Sequence, residues 1–168
     1  MRIKIFILLC LTAIMQFIGV TPLKASHYYY KQLSLKDGLT SAVRCILTDK
    51  QGFVWIGTKA GVSRYDGHEL KKYVHSPNNP HSIPNNLIHQ IAEDEMSNIW
   101  ILTDKGIARY QRQSDDFFLP TDEKGNPIIA YSTCLTKDGV LFGSKDKVYF
   151  YSYRDSSLRL LQKLNKGS

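Results

Sequence analysis

The sequence predicts an all-β fold: a partial β-propeller of about three four-stranded blades, placed after an export signal. Three observations predict it. A stretch of short strands and tight turns, Asp49 to Asp66, recurs 45 residues later without a gap. The recurring unit is β-branched and aromatic between turn residues, as strands are. The first 25 residues are basic and then apolar, and belong to targeting rather than to the fold. A period in the forties built of strands and turns is the signature of propeller blades.

The repeat is read residue by residue. Trp55 falls on Trp100, Asp49 on Asp94, Ile46 on Ile91 and Ile56 on Ile101. Thr58 falls on Thr103, Gly61 on Gly106, Val62 on Ile107, Arg64 on Arg109 and Tyr65 on Tyr110. In each unit Asp opens a reversal. In the first, Gly52 is expected to take a positive φ.

Residues 1–25 read as a secretory signal peptide. Arg2 and Lys4 are its basic region, Ile5 to Val20 its apolar run, and Pro22 to Ala25 its cleavage region, with the cut after Ala25. The run of 16 residues is shorter than the roughly 18–20 that span a bilayer, so a retained anchor is the lesser reading. Cys10 has no small residue before it, which argues against a lipoprotein anchor. Residues 26–168 then form one domain's length of propeller segment in the periplasm, with no membrane span. Removing the signal lowers the formal net charge from +7 to +4. The remaining basic residues are scattered, so no nucleic-acid contact is expected. Cys45 and Cys134 are read as buried free thiols rather than a disulfide framework.

Tyr28 to Leu35 reads as a first strand, ended by the turn Lys36-Asp37-Gly38. Blade one covers about 39–75. Its strands are Val43 to Thr48, Phe53 to Thr58, Val62 to Tyr65 and Glu69 to Val74, with a hairpin at Asp66-Gly67. Ser76 to Asn86, with three prolines and four asparagines, is an irregular, exposed connector. Blade two covers about 86–119. Its strands are Leu87 to Ala92, Ile99 to Thr103, Ile107 to Tyr110 and Phe117 to Leu119, with Leu102 where blade one has Gly57. Blade three, about 127–161, is degenerate and has lost one residue. Its strands are Ile128 to Leu135, Val140 to Ser144, Val148 to Tyr153 and Leu158 to Leu161. Phe142 lies near the tryptophan position, and Gly143-Ser144 parallels Gly57-Thr58. A propeller ring takes four to eight blades. Three blades are therefore expected to be the front of a longer array or a truncated copy of one. Their partners would be the remaining blades or a second copy of the chain.

Asp49, Gly52, Trp55-Ile56-Gly57-Thr58, Gly61-Val62 and Tyr65 together resemble the two-component regulator propeller repeat. The second unit follows it at Asp94, Trp100-Ile101, Thr103, Gly106-Ile107 and Tyr110. With the signal, Leu33 to Leu39, Tyr65-Asp66-Gly67 and the connector Asn79 to Asn86, the opening resembles a hybrid two-component system sensor of the Bacteroides type. The resemblance covers Tyr28 to Tyr110 well and the rest weakly. It implies two periplasmic propellers, a small β-sandwich, one membrane helix, a histidine kinase, a receiver and a DNA-binding domain. It further implies an oligosaccharide ligand and control of polysaccharide-utilisation genes. The chain shows no phospho-acceptor histidine on an amphipathic helix and no glycine-rich nucleotide loop. No catalysis is therefore expected within it.

Individual residues carry two readings each. Trp55 and Trp100 could stack on sugar rings, but their repetition favours packing between blades. Arg64 and Arg109 could bind an anionic sugar. Their equivalence favours capping strand carbonyls or pairing with Asp49 and Asp94. The histidines at 27, 68, 75, 81 and 89 lack metal-ligand spacing. The connector around His81 is the best candidate for a recognition surface, with Asn78, Asn79, Asn85 and Asn86 able to bond hydroxyl groups. A solvated turn is the plainer reading. Tyr28 to Tyr30 reads as an edge strand. A sialidase-type Asp box would need one residue between Asp and Gly, and here Lys50 and Gln51 intervene. No facing carboxylate pair stands out among Asp37, Asp49, Asp66, Asp94 and Asp104, so a glycan-active enzyme fragment is the weakest alternative. A non-functional remnant of a sensor is the stronger one. No catalytic, cofactor or metal residue is assigned, no cofactor is expected, and the ligand contacts are unassigned.

Overall fold

The computed structural model describes residues 41–163; the expected signal, the strand at Tyr28 to Leu35 and the turn at Asp37 lie outside them. Among the described residues there are twelve strands and no helix. They run β1 (Val43–Thr48), β2 (Val54–Thr58), β3 (Gly61–Tyr65), β4 (Leu70–Tyr73), β5 (Ile88–Glu93) and β6 (Ile99–Thr103). They continue as β7 (Gly106–Gln111), β8 (Asp116–Phe118), β9 (Ser132–Leu135), β10 (Gly139–Gly143), β11 (Lys147–Ser152) and β12 (Leu158–Lys163). They form three antiparallel sheets of four strands, each a meander in chain order. This is the blade architecture that the repeat predicts.

The turns explain the period. The Asp49 amide donates to the Phe53 carbonyl at 2.9 Å, and the Gly52 amide to the Asp49 carbonyl at 2.9 Å. Gly52 takes φ 89°, as its type requires. Asp94 repeats both bonds, to Asn98 and from Ser97, at 3.0 Å. Ser97 stands where Gly52 does and takes φ 61° without being glycine.

The cores lie between the sheets. Trp55, Val62 and Tyr73 of the first pack with Ile91, Ile99, Ile101 and Tyr110 of the second. Trp100, Leu102 and Ile107 pack with Val140, Phe142, Tyr149 and Tyr151 of the third. Successive strand residues alternate faces, so β6 sends Ile99 and Ile101 to one core and Trp100 and Leu102 to the other. All four are completely buried. Ile46 lies on a face that no other sheet covers among the described residues. It is 64% exposed, whereas its equivalent Ile91, covered by the first sheet, is 7% exposed.

Several details differ from the sequence reading. The 76–86 connector is irregular but not exposed throughout. Ile83 is completely buried in the first core, and Ser82 bonds the Ser76 and Asn79 carbonyls. One apolar residue among polar ones is enough to anchor a loop. The strand expected from Ile128 begins only at Ser132. Ile128 and Ala130 are buried, and the Ile128 carbonyl accepts the Ile107 amide at 3.0 Å. Residues 121–127 form a small hairpin closed by a Thr121–Pro127 bridge.

Register keeps Gly143 at the Gly57 position and fixes the tryptophan position one residue before Phe142. Leu141 pairs with Phe150 as Trp55 pairs with Arg64, and Gly143 with Val148 as Gly57 with Val62. Leu141, not Phe142, therefore occupies the tryptophan position. Phe142 corresponds to Ile101 and faces the second sheet. The lost residue is in the turn: the Thr136 amide donates to the Gly139 carbonyl, three residues on instead of four. Cys45 is half-buried and Cys134 exposed. The latter sits on β9 opposite Leu141, on the face that no further sheet covers among the described residues.

Gly57 is required by proximity rather than by φ. A Cβ there would lie 2.5 Å from Cys45 Sγ and 2.7 Å from Ile88 Cγ2. Gly57→Ala is expected to destabilise by about 1–3 kcal/mol through overpacking, read by urea denaturation. Ser97→Gly should act in the opposite sense, gaining about 1 kcal/mol by relieving the left-handed backbone. An unchanged midpoint in either variant would contradict these assignments.

Candidate functional site

Two kinds of site emerge from the blades: a polar seam joining neighbours and a groove over their turns. The seam begins with Asp49, whose side chain is fully buried. Its Oδ1 accepts the Gln51 and Phe53 amides at 3.0 and 2.9 Å, fixing the turn. Its Oδ2 accepts the Trp55 indole Nε1 at 3.0 Å. Asp94 holds Trp100 Nε1 the same way, at 2.8 Å. The repeat thus spends its aspartate on seating its tryptophan, since a buried indole N–H needs an acceptor.

Each tryptophan then meets the next blade. Trp55 packs edge-on against Tyr110 and Trp100 against Tyr151, both with centroids 4.8 Å apart. The arginine opposite each tryptophan donates to that same tyrosine hydroxyl: Arg64 to Tyr110, and Arg109 to Tyr151. Each guanidinium also lies over aromatic faces, Arg64 at 4.9 Å from Phe53 and Arg109 at 5.1 Å from Phe118. The arginines are structural, as their equivalence suggests, but their partners are tyrosines of the next blade. Asp49 is paired instead with Arg112 at 3.1 Å, and Asp94 with Asn98.

The first seam carries an additional clamp. Asp115, at φ 56°, accepts from Tyr73 at 2.6 Å, from Tyr110, from Arg64 at 3.3 Å and from Lys71. Sequence reasoning missed it, because Arg64, Lys71 and Tyr73 lie 42 to 51 residues away. Burial alone would raise the Asp115 carboxyl. The bonds from Lys71, Tyr110 and Tyr73 outweigh it and hold the group down at about 2. Burial and the bond to Asp115 together push the Tyr73 phenol upward. Asp49 is likewise opposed by burial but held low by Trp55, Phe53 and Arg112.

The groove lies over the blade-two turns. It encloses about 530 Å³ and is lined by Gln51, Met96, Gln111, Arg112, Gln113 and neighbouring residues. Arg112 fixes one wall, bonding Gln51 Oε1 at 2.8 Å and the Ser97 carbonyl at 3.3 Å. A second hollow of about 230 Å³ shares Met96, Asn98 and Arg109 with it and adds Tyr151 and Tyr153. Met96 is 66% exposed at the junction. Amide side chains, a thioether, ring edges and the guanidinium groups of Arg109 and Arg112 give the groove donors and apolar contacts suited to a hydroxyl-rich ligand.

The family model described as two component regulator propeller matches residues 37–60, which include the Asp49 turn and Trp55. The chain carries a two-component regulator propeller repeat. Over 59 residues it is 39% identical to Histidine kinase P4 of Formosa agariphila, a match covering 34% of this chain and 4% of that protein. Its fold is similar to two extracellular domains from B. thetaiotaomicron. One is described as that of the hybrid two component system BT3049, at TM-score 0.62 and 20% identity, covering 76% of this chain and 19% of that one. The other, of BT4673, is described as part of a one component system in one structure and of a hybrid two component system in another. It aligns at TM-score 0.56 and 24% identity, covering 73% of this chain and 16% of that one. This chain therefore spans less than a fifth of each of these relatives.

The other candidate residues fall mostly in the connector and the turns. Asn79 Oδ1 accepts the His81 amide at 2.9 Å, Asn85 Oδ1 the Leu87 amide at 2.8 Å, and Asn86 Oδ1 the His75 amide at 2.7 Å. Through these bonds the asparagines hold the connector. His81 is exposed, 3.7 Å from Asp116, and His89 lies 3.0 Å from Asp104. His75 Nδ1 is 2.8 Å from the Ile83 carbonyl. His27 lies outside the described residues. Asp66 caps its own hairpin through the His68 and Glu69 amides.

Both seam carboxyls are depressed in the folded state, so their stabilisation is complete above the ordinary carboxylate range of about 4. It is lost as pH falls through their folded values. Denaturation midpoints are expected to fall between pH 5 and pH 2. Asp115→Asn should lower the pH 7 midpoint and flatten that acid slope. A slope identical to that of the wild type would show that the clamp is not what titrates.

Proposed function

We propose that this chain is a ligand-sensing propeller segment of a two-component sensor on the periplasmic side of the membrane, and that it recognises oligosaccharides. The match of its blade-one repeat to the two component regulator propeller family carries this reading. Its likeness to extracellular domains of signalling systems supports the sensor role. The signal peptide expected over residues 1–25 would accord with that compartment. Among the described residues no helix is long and apolar enough to cross a membrane.

The groove over Met96 offers the chemistry such a ligand needs. Gln51 and Gln113 present planar amides that bond vicinal hydroxyls, and Met96 offers an apolar face for ring carbons. Recognition would bias the angle between blades one and two, which Arg112 bridges in the groove wall through Asp49, Gln51 and the Ser97 carbonyl. Conversion of that bias into kinase control belongs to the longer sensor that the resemblance implies.

Isothermal titration of the full chain with neutral oligosaccharides tests this reading. At least one is expected to give saturable heat. Gln113→Ala should weaken it by about 2- to 10-fold, the loss of a neutral hydrogen bond of about 0.5–1.5 kcal/mol. No saturable binding across such a panel overturns the proposal.

A further inference from the structure

Away from that groove, a pocket of about 310 Å³ lies between the 121–127 hairpin and the outer strands of the third sheet. Three lysines from separate segments line it: Lys124 on the hairpin, Lys147 on β11 and Lys163 on β12. Lys147 and Lys163 are direct cross-strand partners. Such partners project from one face with Cβ atoms about 5 Å apart, where like charges destabilise a sheet. None of the three ammonium groups has a hydrogen bond or ion pair among the described residues.

The backbone creates this juxtaposition. The register between β11 and β12 skips Leu161, so Leu160 and Lys163 fall on the face of Tyr149 and Lys147. A bulge that re-aims a side chain in this way is a device found beside functional sites. Tyr149 forms the floor. It is 8% exposed, and its hydroxyl has no hydrogen-bond partner among the described residues. Asp122 also lines the pocket, but its carboxylate is occupied by its own turn, accepting the Lys124 and Asn126 amides at 2.9 and 2.8 Å. Glu123 is exposed at the rim and pairs with none of the lysines.

We propose that this pocket binds a compact tetrahedral oxyanion, sulfate or phosphate, free or carried as an ester. Lys147 and Lys163 would grip it from both sides, with Lys124 and the Tyr149 hydroxyl completing its shell. The anion would turn a repulsive lysine pair into two charge-assisted bonds. Leu158 and Leu160 form an apolar wall for the body of an ester. This inference is independent of the oligosaccharide reading and of the groove over Met96.

Thermal unfolding of the full chain in sodium sulfate, against sodium chloride at equal ionic strength, tests it. Sulfate is expected to raise Tm saturably and chloride not. Lys147→Gln should raise Tm in chloride, because it removes the like-charge pair, while shrinking the sulfate shift. Lys147→Gln with Lys163→Gln should abolish that shift. Tyr149→Phe keeps the ring and should weaken sulfate by about 2- to 10-fold, with Tm in chloride nearly unchanged. Tighter binding of galactose 6-sulfate than of sulfate assigns the site to an ester, and equal binding to the free ion. Equal shifts in sulfate and chloride, or a sulfate shift surviving the double substitution, overturn the proposal.

Discussion

The hydrogen bond from an indole N–H to the aspartate six residues before it governs this structure. Asp49 closes a turn with one oxygen and seats Trp55 with the other. The turn geometry of one blade thereby fixes where its largest side chain meets the next. Trp55 and Tyr110, and again Trp100 and Tyr151, sit at the same separation because the same bond positions them. Burial of these rings supplies the non-directional attraction. The aspartate, the arginine and the tyrosine hydroxyl supply direction, so the sheets lock at one angle rather than slide over an apolar contact.

The third blade illustrates the dependence by loss of the pair. Thr136 stands where the aspartate would, Leu141 where the tryptophan would, and Phe150 where the arginine would. Donor and acceptor vanish together, so neither is left buried without the other. Thr136 keeps the turn, since its hydroxyl donates to the Gly139 carbonyl and accepts the Gly139 amide. The two functions of the aspartate are separable, and only the local one persists.

The strands were legible because each unit repeats the alternation and turn residues that local physics demands. Trp55 and Trp100 could be assigned to packing because repetition is itself a structural signal. What was not legible depends on distances between blades. The Arg64–Tyr110 bond and the Asp115 clamp join residues that no local pattern relates. The tryptophan position of the third blade was legible only to within a residue of Phe142, because the turn before it is shortened; the pairing of Leu141 with Phe150 fixes it at Leu141. Ile83 looked like part of a polar loop because one apolar residue has no period. The lysine pocket was invisible because the Leu161 bulge, not sequence spacing, brings Lys163 to the face of Lys147.

The seam bonds run from each blade to the next over nearly one repeat: 46 residues for Arg64 to Tyr110 and 42 for Arg109 to Tyr151. Copying one period of the gene in tandem would therefore copy a donor and its acceptor together. The new unit would arrive with a ready-made joint on each side. Arrays of this kind can lengthen by duplication without inventing an interface.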